Sequence, residues 1–490
     1  MSTATLPRQT RRSGRPSTSE ATGWADGALL LLILLTGAAL RLYGLTRYPF
    51  EQDELYTEIE ARLLFDSPLT PGIDAHPLYY LLQHPWLDLW PTTHLSLRVL
   101  PFLFGVLGIW ATWALAREVG GRTAGAVAAA LVAVSPWHLY ASGMARYWSL
   151  VYLLAAVYFL FLLRAYRTDR PRHFLMALGA LVLGVASHPT FMFAAAGGAL
   201  GLTLVREDGR FGWRWPSRSA WLYLWGPFLL FLAAASTALT LLSGGVESVR
   251  NWGSRGLLGT LRLLPAVVEW ATPVLTAAGG LGAVALILDR SAPEGRRFGT
   301  VALFGVLFSL ALLMAASLVT SVYADYAISM LPLPIVAAGA MIAAGAVRFT
   351  GSRPGFALAA TLVVLAGVLP STVSHISDGT RFDYRPALRQ IEAQGPDAPV
   401  LSVPIILQRH YAPELNGVEL EMNADFLDRQ LAESGPFWAI IPFRRYGVWQ
   451  DGSGEVERWV AAHCRLRGSH QRPRLDFRVY RTGLYWCAGA

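Results

Sequence analysis

The 490-residue chain contains no lysine, so all 41 of its basic residues are arginine. Charged residues are also scarce: they make up 15% of the chain, against about 25% in a typical soluble domain. With 53% hydrophobic residues and a mean hydropathy of +0.39, the chain has too few polar groups to cover a soluble surface. This excludes a disordered, collagen-like or disulfide-rich secreted protein and predicts an integral membrane protein. The missing lysine reflects either codon bias or the use of arginine to bind phosphate through two hydrogen bonds.

Motifs for nucleotide-driven work are absent as well. The sequence has no P-loop, no GxGxxG fingerprint, no coiled coil and no internal repeat, so nothing supports an ATP-driven machine. The net charge of +8 would raise the question of nucleic acid in a soluble protein. In a multi-span protein, basic loops fix the orientation in the membrane. We therefore expect no nucleic-acid partner.

Apolar runs of about twenty residues, bounded by polar flanks, predict membrane-spanning helices. About eleven such runs occur. They cover Ala25–Gly44, His94–Leu115, Thr123–Ser142, Trp148–Leu163, Phe174–Ser187, Thr190–Val205, Ala220–Leu242, Trp270–Leu288, Thr300–Val322, Ala327–Val347 and Phe356–Ser374. The sequence thus predicts a polytopic α-helical protein with a membrane domain over 25–375, including a long external loop over 45–93.

Arginines cluster in alternate connections between these runs. By the positive-inside rule those connections and the arginine-bearing tail over 1–24, which we expect to be disordered, are cytoplasmic. The arginines concerned are Arg8, Arg11, Arg12, Arg15, Arg117, Arg122, Arg164, Arg167, Arg170, Arg172, Arg206, Arg210, Arg214, Arg218, Arg290, Arg296, Arg297, Arg348 and Arg353. An odd number of spans in the plasma (inner) membrane then places the C-terminal segment outside the cytoplasm.

From residue 376 the composition becomes that of a soluble domain. Strands are predicted at Val400–Leu407 and Phe437–Phe443, with a candidate third at Phe477–Tyr480. Helical spacing is found in the stretches between, at Pro386–Ala393, Ala424–Ala432 and Val456–His463. We expect a small extracytoplasmic α/β domain over 376–490. Its two cysteines, Cys464 and Cys487, either form a disulfide or remain buried thiols.

The first external loop begins with the acidic stretch E-Q-D-E-L-Y-T-E-I-E. Its apolar residues Leu55, Ile59 and Leu63 recur every four positions, which predicts an amphipathic helix on the membrane surface. Asp53 lies at the start of this helix, where it is either a cap or a functional carboxylate. Glu58 and Arg62 are spaced as a surface ion pair.

Further polar residues are predicted at the same outer face. The loop continues with Asp74, His76 and Tyr79 before an aromatic run that resembles an interfacial belt. Asp74-x-His76 can ligate a metal, although two ligands are a weak signal. A charge in the apolar layer is a site candidate unless it reaches the headgroups. The candidates at or near span ends are Arg41, Arg98, Arg146, His188, Tyr323, Asp325 and Tyr326. Together they predict one external cleft with carboxylates for base chemistry and arginines for a phosphate.

The ordered motifs R-L-Y-G-L, D-E, H-P-L-Y-Y-L-L and L-R-V-L-P-F-L-F-G-V-L-G, followed by S-P-W-H-L-Y-A-S-G-M-A-R-Y-W-S-L, resemble the GT-C-fold membrane glycosyltransferases. The similarity is greatest to the protein O-mannosyltransferase and lipid A aminoarabinose transferase group (glycosyltransferase family 39-like), and it is strongest over Arg41–Leu163. The resemblance implies an inverting transfer of a sugar from a polyprenyl-phosphate donor to a glycan, lipid or protein acceptor outside the cytoplasm.

The resemblance also assigns roles to single residues. Asp53 corresponds to the acid of the D-E motif and would be the catalytic base, with Glu54 beside it. Asp74 corresponds to a loop carboxylate associated with a divalent metal, for which His188 is a second candidate ligand; the neighbouring Pro-Pro pair of the family is His76-Pro77 here. Arg146 corresponds to the arginine of an E-A-R-x-Y stretch in which Met144 replaces the acid. The candidate substrate- and phosphate-binding residues are Arg41, His76, Tyr79, Arg146, Tyr147, His188, Asp325 and Tyr326.

Two other functions remain as alternatives. A lipid-linked sugar transporter or flippase would place its ionisable residues near the bilayer midplane between repeated halves, whereas the acids here gather at one face. A non-catalytic cell-envelope assembly protein with the same fold is compatible with Met144.

Overall fold

A computed structural model of the chain describes residues 19–65, 76–207, 210–243, 256–289, 293–318, 322–350, 354–445, 447–448, 451 and 454–488. Most of these residues are helical. The helices before the C-terminal region are α1 Ser19–Leu45, α2 Gln52–Arg62, α3 Pro77–Leu89, α4 His94–Val134, α5 Pro136–Ser142, α6 Trp148–Thr168, α7 Pro171–Ser187, α8 Phe191–Thr203, α9 Gly226–Ser243, α10 Gly256–Ala271, α11 Pro273–Leu288, α12 Pro293–Ser317, α13 Pro332–Thr350 and α14 Pro354–Asp378. Shorter elements are the hairpin of β1 Leu204–Glu207 and β2 Arg210–Trp213, a helical stretch formed by Arg218–Ala220 and Trp221–Trp225 before α9, and a 3-10 helix at Ala324–Met330.

Six helices among the described residues are long and apolar enough to cross a membrane. They are Asp26–Leu45, His94–Val134, Trp148–Thr168, Pro293–Ser317, Pro332–Phe349 and Gly355–Asp378. The pair Gly259–Ala271 and Pro273–Leu288, bent by 93°, would make a seventh if it is one broken span. Each of the eleven predicted runs coincides with helical residues, but eleven crossings are not confirmed. The helices α7 and α8 are shorter than the roughly 20 residues that a bilayer needs.

Helix α4 contains 41 residues, which is about twice the length of a membrane span. Its regular geometry is interrupted at Gly120 and Gly121, and Gly121 adopts φ 77°, in the left-handed region that favours glycine. This break lies between the second and third predicted spans. The same glycine pair therefore separates two apolar runs that the sequence predicts as individual helices.

Helix α1 begins at Ser19, within the tail over 1–24 that the sequence predicts to be disordered. The loop that follows α1 then forms α2, as predicted, but Glu51 rather than Asp53 is its N-cap residue. The predicted apolar stripe is only partly buried, because Ile59 and Leu63 remain exposed. The buried face of α2 consists of Glu54, Leu55, Thr57 and Ala61.

The C-terminal region contains a mixed six-stranded sheet with strand order β4-β3-β5-β8-β7, and β6 pairs with β5. Strands β3 and β4 run parallel to each other and β3 runs parallel to β5, whereas β5, β8 and β7 are antiparallel. Three helices lie between the strands, and a fourth precedes the first of them. The elements are α15 Arg385–Gln394, β3 Val400–Ser402, α16 Ile405–Tyr411, β4 Gly417–Glu419, α17 Ala424–Ser434, β5 Phe437–Arg444, β6 Gly447–Val448, α18 Glu455–His463, β7 Cys464–Gln471 and β8 Arg481–Cys487.

The three helices predicted in this region coincide with α15, α17 and α18, and the strand predicted at Phe437–Phe443 coincides with β5. The prediction at Val400–Leu407 is half right, because the chain turns into α16 after Ser402. Residues Phe477–Tyr480 are irregular and do not form the predicted strand. The next strand, β8, begins at Arg481. Cys464 and Cys487 are joined by a disulfide across the β7–β8 pair, which decides between the two alternatives for these cysteines.

Because both native cysteines are bonded to each other, one introduced cysteine would be the only free thiol and can report the orientation. We expect Ala432→Cys, on exposed α17, to react with a membrane-impermeant maleimide in intact cells. Arg170→Cys, exposed between α6 and α7, should react only after the membrane is opened. The reverse labelling pattern would contradict an extracytoplasmic C-terminal domain.

Candidate functional site

A buried carboxylate organises the loop that follows α1. Glu54 is fully buried, and the Arg98 guanidinium donates to both of its oxygens, from Nε to Oε1 at 2.7 Å and from Nη2 to Oε2 at 2.8 Å. Arg381 Nη1 donates to Oε2 at 2.7 Å. Burial alone would raise the pKa of Glu54, but the charges of Arg98 and Arg381 outweigh it and lower the pKa to about 2. Glu54 is therefore an anion at every physiological pH.

Glu54 joins three distant parts of the chain. Arg98 belongs to α4, Arg381 follows α14, and the backbone N–H of Ala145, which precedes Arg146, donates to Glu54 Oε1 at 2.8 Å. Both carboxylate oxygens thus have protein partners. The prediction that Glu54 is catalytic beside Asp53 is not supported by this geometry, which gives Glu54 an anchoring role.

The neighbouring Asp53 faces a different environment. Its Oδ1 lies 3.5 Å from Nη2 of Arg146, and 39% of its side chain is exposed, against 13% for Arg146. The structure therefore brings together Asp53 and Arg146, as the sequence predicted, and it leaves the Asp53 carboxylate accessible. Glu54 directly follows Asp53 and also accepts a hydrogen bond from the backbone N–H of Ala145, next to Arg146. It therefore holds the Asp53 and Arg146 side chains close to each other.

Arg146 has further partners that the sequence analysis missed. Its Nη1 donates to the Tyr80 hydroxyl at 2.6 Å and lies 3.5 Å from Glu60 Oε2, and Tyr80 in turn donates to Glu60. Thr57 Oγ1 accepts from the same Nη1 at 3.3 Å. Asp53, Thr57 and Glu60 are spaced i, i+4 and i+7 on α2, so helical spacing could have placed them on one face. Nε of Arg146 has no hydrogen-bond partner among the described residues.

Rings from four segments pack beside Arg146, forming what we call the His/aromatic cluster: His76, Tyr147, Trp148, His188 and Tyr326. His76 stacks on Tyr147 with centroids 4.1 Å apart, and it lies 4.8 Å from His188. His188 is also 5.0 Å from Trp148 and 4.9 Å from Tyr326. Burial, followed by the charge of Arg146, lowers the pKa of His188 to about 3, so this ring is neutral.

Most members of the cluster were predicted, except Trp148. That residue directly follows Tyr147 in the R-Y-W segment of the motif, which is the signal that could have identified it. Tyr79 is buried next to the cluster, 6.3 Å from the Tyr147 ring, and its hydroxyl has no hydrogen-bond partner among the described residues. The Arg146 guanidinium lies 5.7 Å from the Tyr147 ring centre, which connects the cluster to Asp53.

Two further carboxyl groups lie near Asp53. Burial raises the pKa of Glu51, whose Oε2 accepts a hydrogen bond from Tyr140 at 2.9 Å. Burial and then the charge of Glu51 raise the pKa of Asp325 to about 7, although Arg444 opposes the shift. Asp325 Oδ1 is buried and has no hydrogen-bond partner within the described ranges. Asp325 can therefore exchange a proton near neutral pH.

Some predicted site residues lie elsewhere. Arg41 is buried in the helix bundle, where it donates to the carbonyls of Gly37 at 2.7 Å and Ala133 at 3.1 Å and contacts His138 Nδ1 at 2.6 Å. These contacts join α1 to α4 and α5, so Arg41 has a structural role and is not placed to bind a phosphate. Arg98 does not reach the headgroups, because it is fully buried on Glu54. Asp74 lies outside the described residues.

A metal site is not assembled in the part of the chain that the structure describes. No group of three or more His, Cys, Asp or Glu residues is placed there to hold an ion. The candidate ligand His188 has its Nδ1 2.7 Å from Thr190 Oγ1, and its ring centre lies 4.8 Å from that of His76.

Solved structures of known proteins align with most of this chain. ArnT from Cupriavidus metallidurans in the apo state aligns with a TM-score of 0.52 at 15% identity, over 95% of this chain and 98% of that one. The archaeal oligosaccharyltransferase AglB from Archaeoglobus fulgidus, in complex with an inhibitory peptide and a dolichol-phosphate, aligns with a TM-score of 0.52 at 12% identity, over 86% and 70%. The chain has the GT-C fold.

A sequence-family match supports the same fold. Residues 74–240 match the family described as dolichyl-phosphate-mannose-protein mannosyltransferase. ArnT bound to undecaprenyl phosphate aligns with a TM-score of 0.50 at 15% identity, over 95% of this chain and 98% of that one. Comparison with curated proteins gives no match. The resemblance to GT-C glycosyltransferases is thus confirmed, and the apolar spans make this GT-C chain an integral membrane protein.

Neutralising Glu54 should destabilise the protein strongly. In Glu54→Gln the guanidinium groups of Arg98 and Arg381 would lose their buried counter-charge, and breaking a buried pair typically costs about 3–5 kcal/mol. We expect a clear fall in the free energy of unfolding, measured by denaturation in detergent. Glu58→Gln, which removes the surface pair with Arg62, should change it by no more than about 0.5 kcal/mol. Equal effects of the two changes would contradict the anchoring role.

Asp325 should make stability depend on pH. An aspartate in the unfolded chain has a pKa of about 3.9, whereas burial raises the pKa of Asp325 in the folded protein to about 7. At a pH between these two pKa values, Asp325 is ionised in the unfolded chain but still protonated in the folded protein. Raising the pH through this range therefore lowers the contribution of Asp325 to stability, which stays low above about pH 7. Asp325→Asn cannot lose a proton, so its melting temperature relative to the wild type should increase from about pH 5 to about pH 8.

The matched control is Asp425→Asn, at an exposed position on α17. We expect its melting temperature, relative to the wild type, to stay constant over the same pH range. A constant difference for Asp325→Asn as well would show that Asp325 is ionised throughout.

Proposed function

We propose that this protein is an inverting glycosyltransferase that moves a sugar from a polyprenyl-phosphate carrier to an acceptor hydroxyl on the extracytoplasmic side of the membrane. The observation that carries the proposal is the exposed carboxylate of Asp53 held 3.5 Å from Arg146 on a GT-C fold. A carboxylate can act as a general base, and a guanidinium can bind a phosphate leaving group. The undecaprenyl phosphate bound to ArnT and the dolichol-phosphate bound to AglB support a lipid-linked donor.

In this mechanism Asp53 acts as the general base. It takes the proton of the acceptor hydroxyl while the hydroxyl oxygen bonds to the anomeric carbon of the sugar. The bond between that carbon and the phosphate oxygen breaks on the opposite face, so the configuration inverts and the lipid phosphate keeps the electron pair. Arg146 stabilises the negative charge that develops on the phosphate. A single well-placed electrostatic contact of this kind contributes about 3–4 kcal/mol.

The His/aromatic cluster suits the sugar of the donor. Its rings offer apolar faces for the C–H surface of a sugar, and neutral His188 can hydrogen-bond to a hydroxyl without adding charge. The cluster touches Arg146 through Tyr147, so a sugar packed there would have its phosphate near the guanidinium. His76, Tyr79, Tyr147, His188 and Tyr326 are therefore proposed as donor-binding residues, together with Trp148.

Asp325 and Glu51 add two further carboxyl groups beside Asp53. A protonated Asp325 would donate a hydrogen bond and an ionised one would accept one, so this side can bind the polar acceptor. We place the acceptor on this side of Asp53 and the donor on the side of Arg146.

The function can be tested in cells lacking the protein. Mass spectrometry of their envelope glycans, lipids and glycoproteins should reveal one missing sugar and an accumulated polyprenyl-phosphate carrier. Restoring the wild-type gene should return the sugar. Asp53→Asn should lower the transfer rate by about 10²–10⁴-fold, the usual contribution of a general base, while expression and thermal stability remain near those of the wild type.

Glu58→Gln is the matched control, because Glu58 lies on the same helix and pairs with Arg62 at the surface. It should restore transfer fully. Undiminished transfer by Asp53→Asn would remove Asp53 from the mechanism. Loss of lipid movement across the membrane, with transfer intact, would favour a flippase, and an unchanged envelope would favour a non-catalytic assembly role.

A further inference from the structure

A polar cavity lies where the C-terminal region meets the end of α1. Its volume is about 550 Å³, within the range of small-molecule sites, and Asp53, Arg146 and the His/aromatic cluster do not line it. Its walls carry the arginines Arg47, Arg381, Arg385, Arg389 and Arg472. This concentration of guanidinium groups around one cavity is not used by the glycosyltransfer proposed above.

The cavity has an excess of positive charge. Of its two carboxylates, Asp383 is held by both Nε and Nη2 of Arg385 at 2.8 Å, and Asp378 is paired with Arg474, which lies outside the lining. These pairs leave Arg47 and Arg389 with exposed side chains, and Arg472 lies only 3.7 Å from the already paired Asp383. A cavity with this balance attracts an anion.

Neutral hydrogen-bonding groups complete the wall. Ser469, His470 and Gln471 of β7 line the cavity, and Nε2 of His470 has no hydrogen-bond partner among the described residues. Burial lowers the pKa of His470, against the opposing charge of Asp383, which favours the neutral ring. Planar guanidinium groups beside neutral donors are well suited to the several oxygens of a phosphate group.

The position of the cavity brings it near the membrane surface. Arg47 follows the last residue of α1, Leu45, at the end of a candidate span, and its guanidinium lies 4.1 Å from the Tyr43 ring centre. A lipid phosphate at the headgroup level and a soluble phosphorylated compound can both approach this site.

We propose that this cavity binds a phosphate-bearing anion, supplied either by a lipid headgroup or by a soluble compound. One of its walls, Arg381, also binds Glu54. An occupant of the cavity is therefore next to the ion pairs that hold the loop of Asp53. The proposal does not depend on glycosyltransfer, because no residue of the Asp53 and Arg146 pair contributes to it.

Binding can be measured on the purified full-length protein. Native mass spectrometry would compare retention of phosphatidylglycerol with that of phosphatidylcholine, and titration would measure the affinity for inorganic pyrophosphate. The double variant Arg47→Gln/Arg389→Gln removes two exposed guanidinium groups without breaking an ion pair described above. We expect it to weaken binding at least about tenfold, because each lost charge-assisted hydrogen bond contributes appreciably.

Arg465→Gln/Arg467→Gln is the control with the same change in net charge. Both arginines are exposed on β7 and lie outside the cavity lining, so binding should stay within about twofold. Asp53→Asn should also bind normally, which separates this proposal from the proposed function.

The outcomes identify the source of the anion. Selective retention of phosphatidylglycerol that is lost in the Arg47 and Arg389 variant supports a lipid headgroup. Pyrophosphate binding without lipid selectivity, lost in the same variant, supports a soluble compound. If the protein neither retains phosphatidylglycerol selectively nor binds pyrophosphate, the proposal is overturned. The same holds if the Arg465 and Arg467 control loses as much binding as the Arg47 and Arg389 variant.

Discussion

The ion pairs of Glu54 with Arg98 and Arg381 are the constraint on which the site depends. A buried carboxylate is stable only if its charge and its lone pairs are satisfied, and here two guanidinium groups and two backbone N–H groups do so. These donors come from α2, α4, the segment before α6 and the start of the C-terminal region. The requirements of one carboxylate therefore help to fix the relative positions of α2, α4, the segment before α6 and the residues that follow α14.

This arrangement separates two neighbouring acids into different roles. Glu54 is closed off by its arginines, whereas Asp53 points away from them and stays partly exposed, 3.5 Å from Arg146. Because Glu54 also binds the backbone at Ala145, a shift of α2 would carry the Arg146 segment with it. The distance between the proposed base and the proposed phosphate ligand is thus maintained by a residue that touches neither substrate.

Local patterns in the sequence predicted the parts of this structure that depend on local physics. Apolar runs located the helices, and the i, i+4 spacing located the Glu58 and Arg62 pair. Glu54 could not be assigned in this way, because one of its partners, Arg381, is 327 residues away. Strand β7 was missed because its sequence C-R-L-R-G-S-H-Q has no apolar face and most of its residues are exposed. His76, His188 and Tyr326 of the His/aromatic cluster could be singled out by their positions in the first loop and at span ends, but the contacts between their rings join segments that are far apart in the sequence.

The buried arginines also bear on the complete absence of lysine. Arg98 donates to both oxygens of Glu54 and to the carbonyls of Leu45, Tyr48 and Pro49. Those acceptors lie around a planar fork, and a lysine ammonium, whose donors diverge from one atom, cannot reach them together. Arg41 is bound in a similar way. At such positions arginine is required by geometry, whereas exposed arginines such as Arg465 have no such requirement and are explained equally well by codon bias.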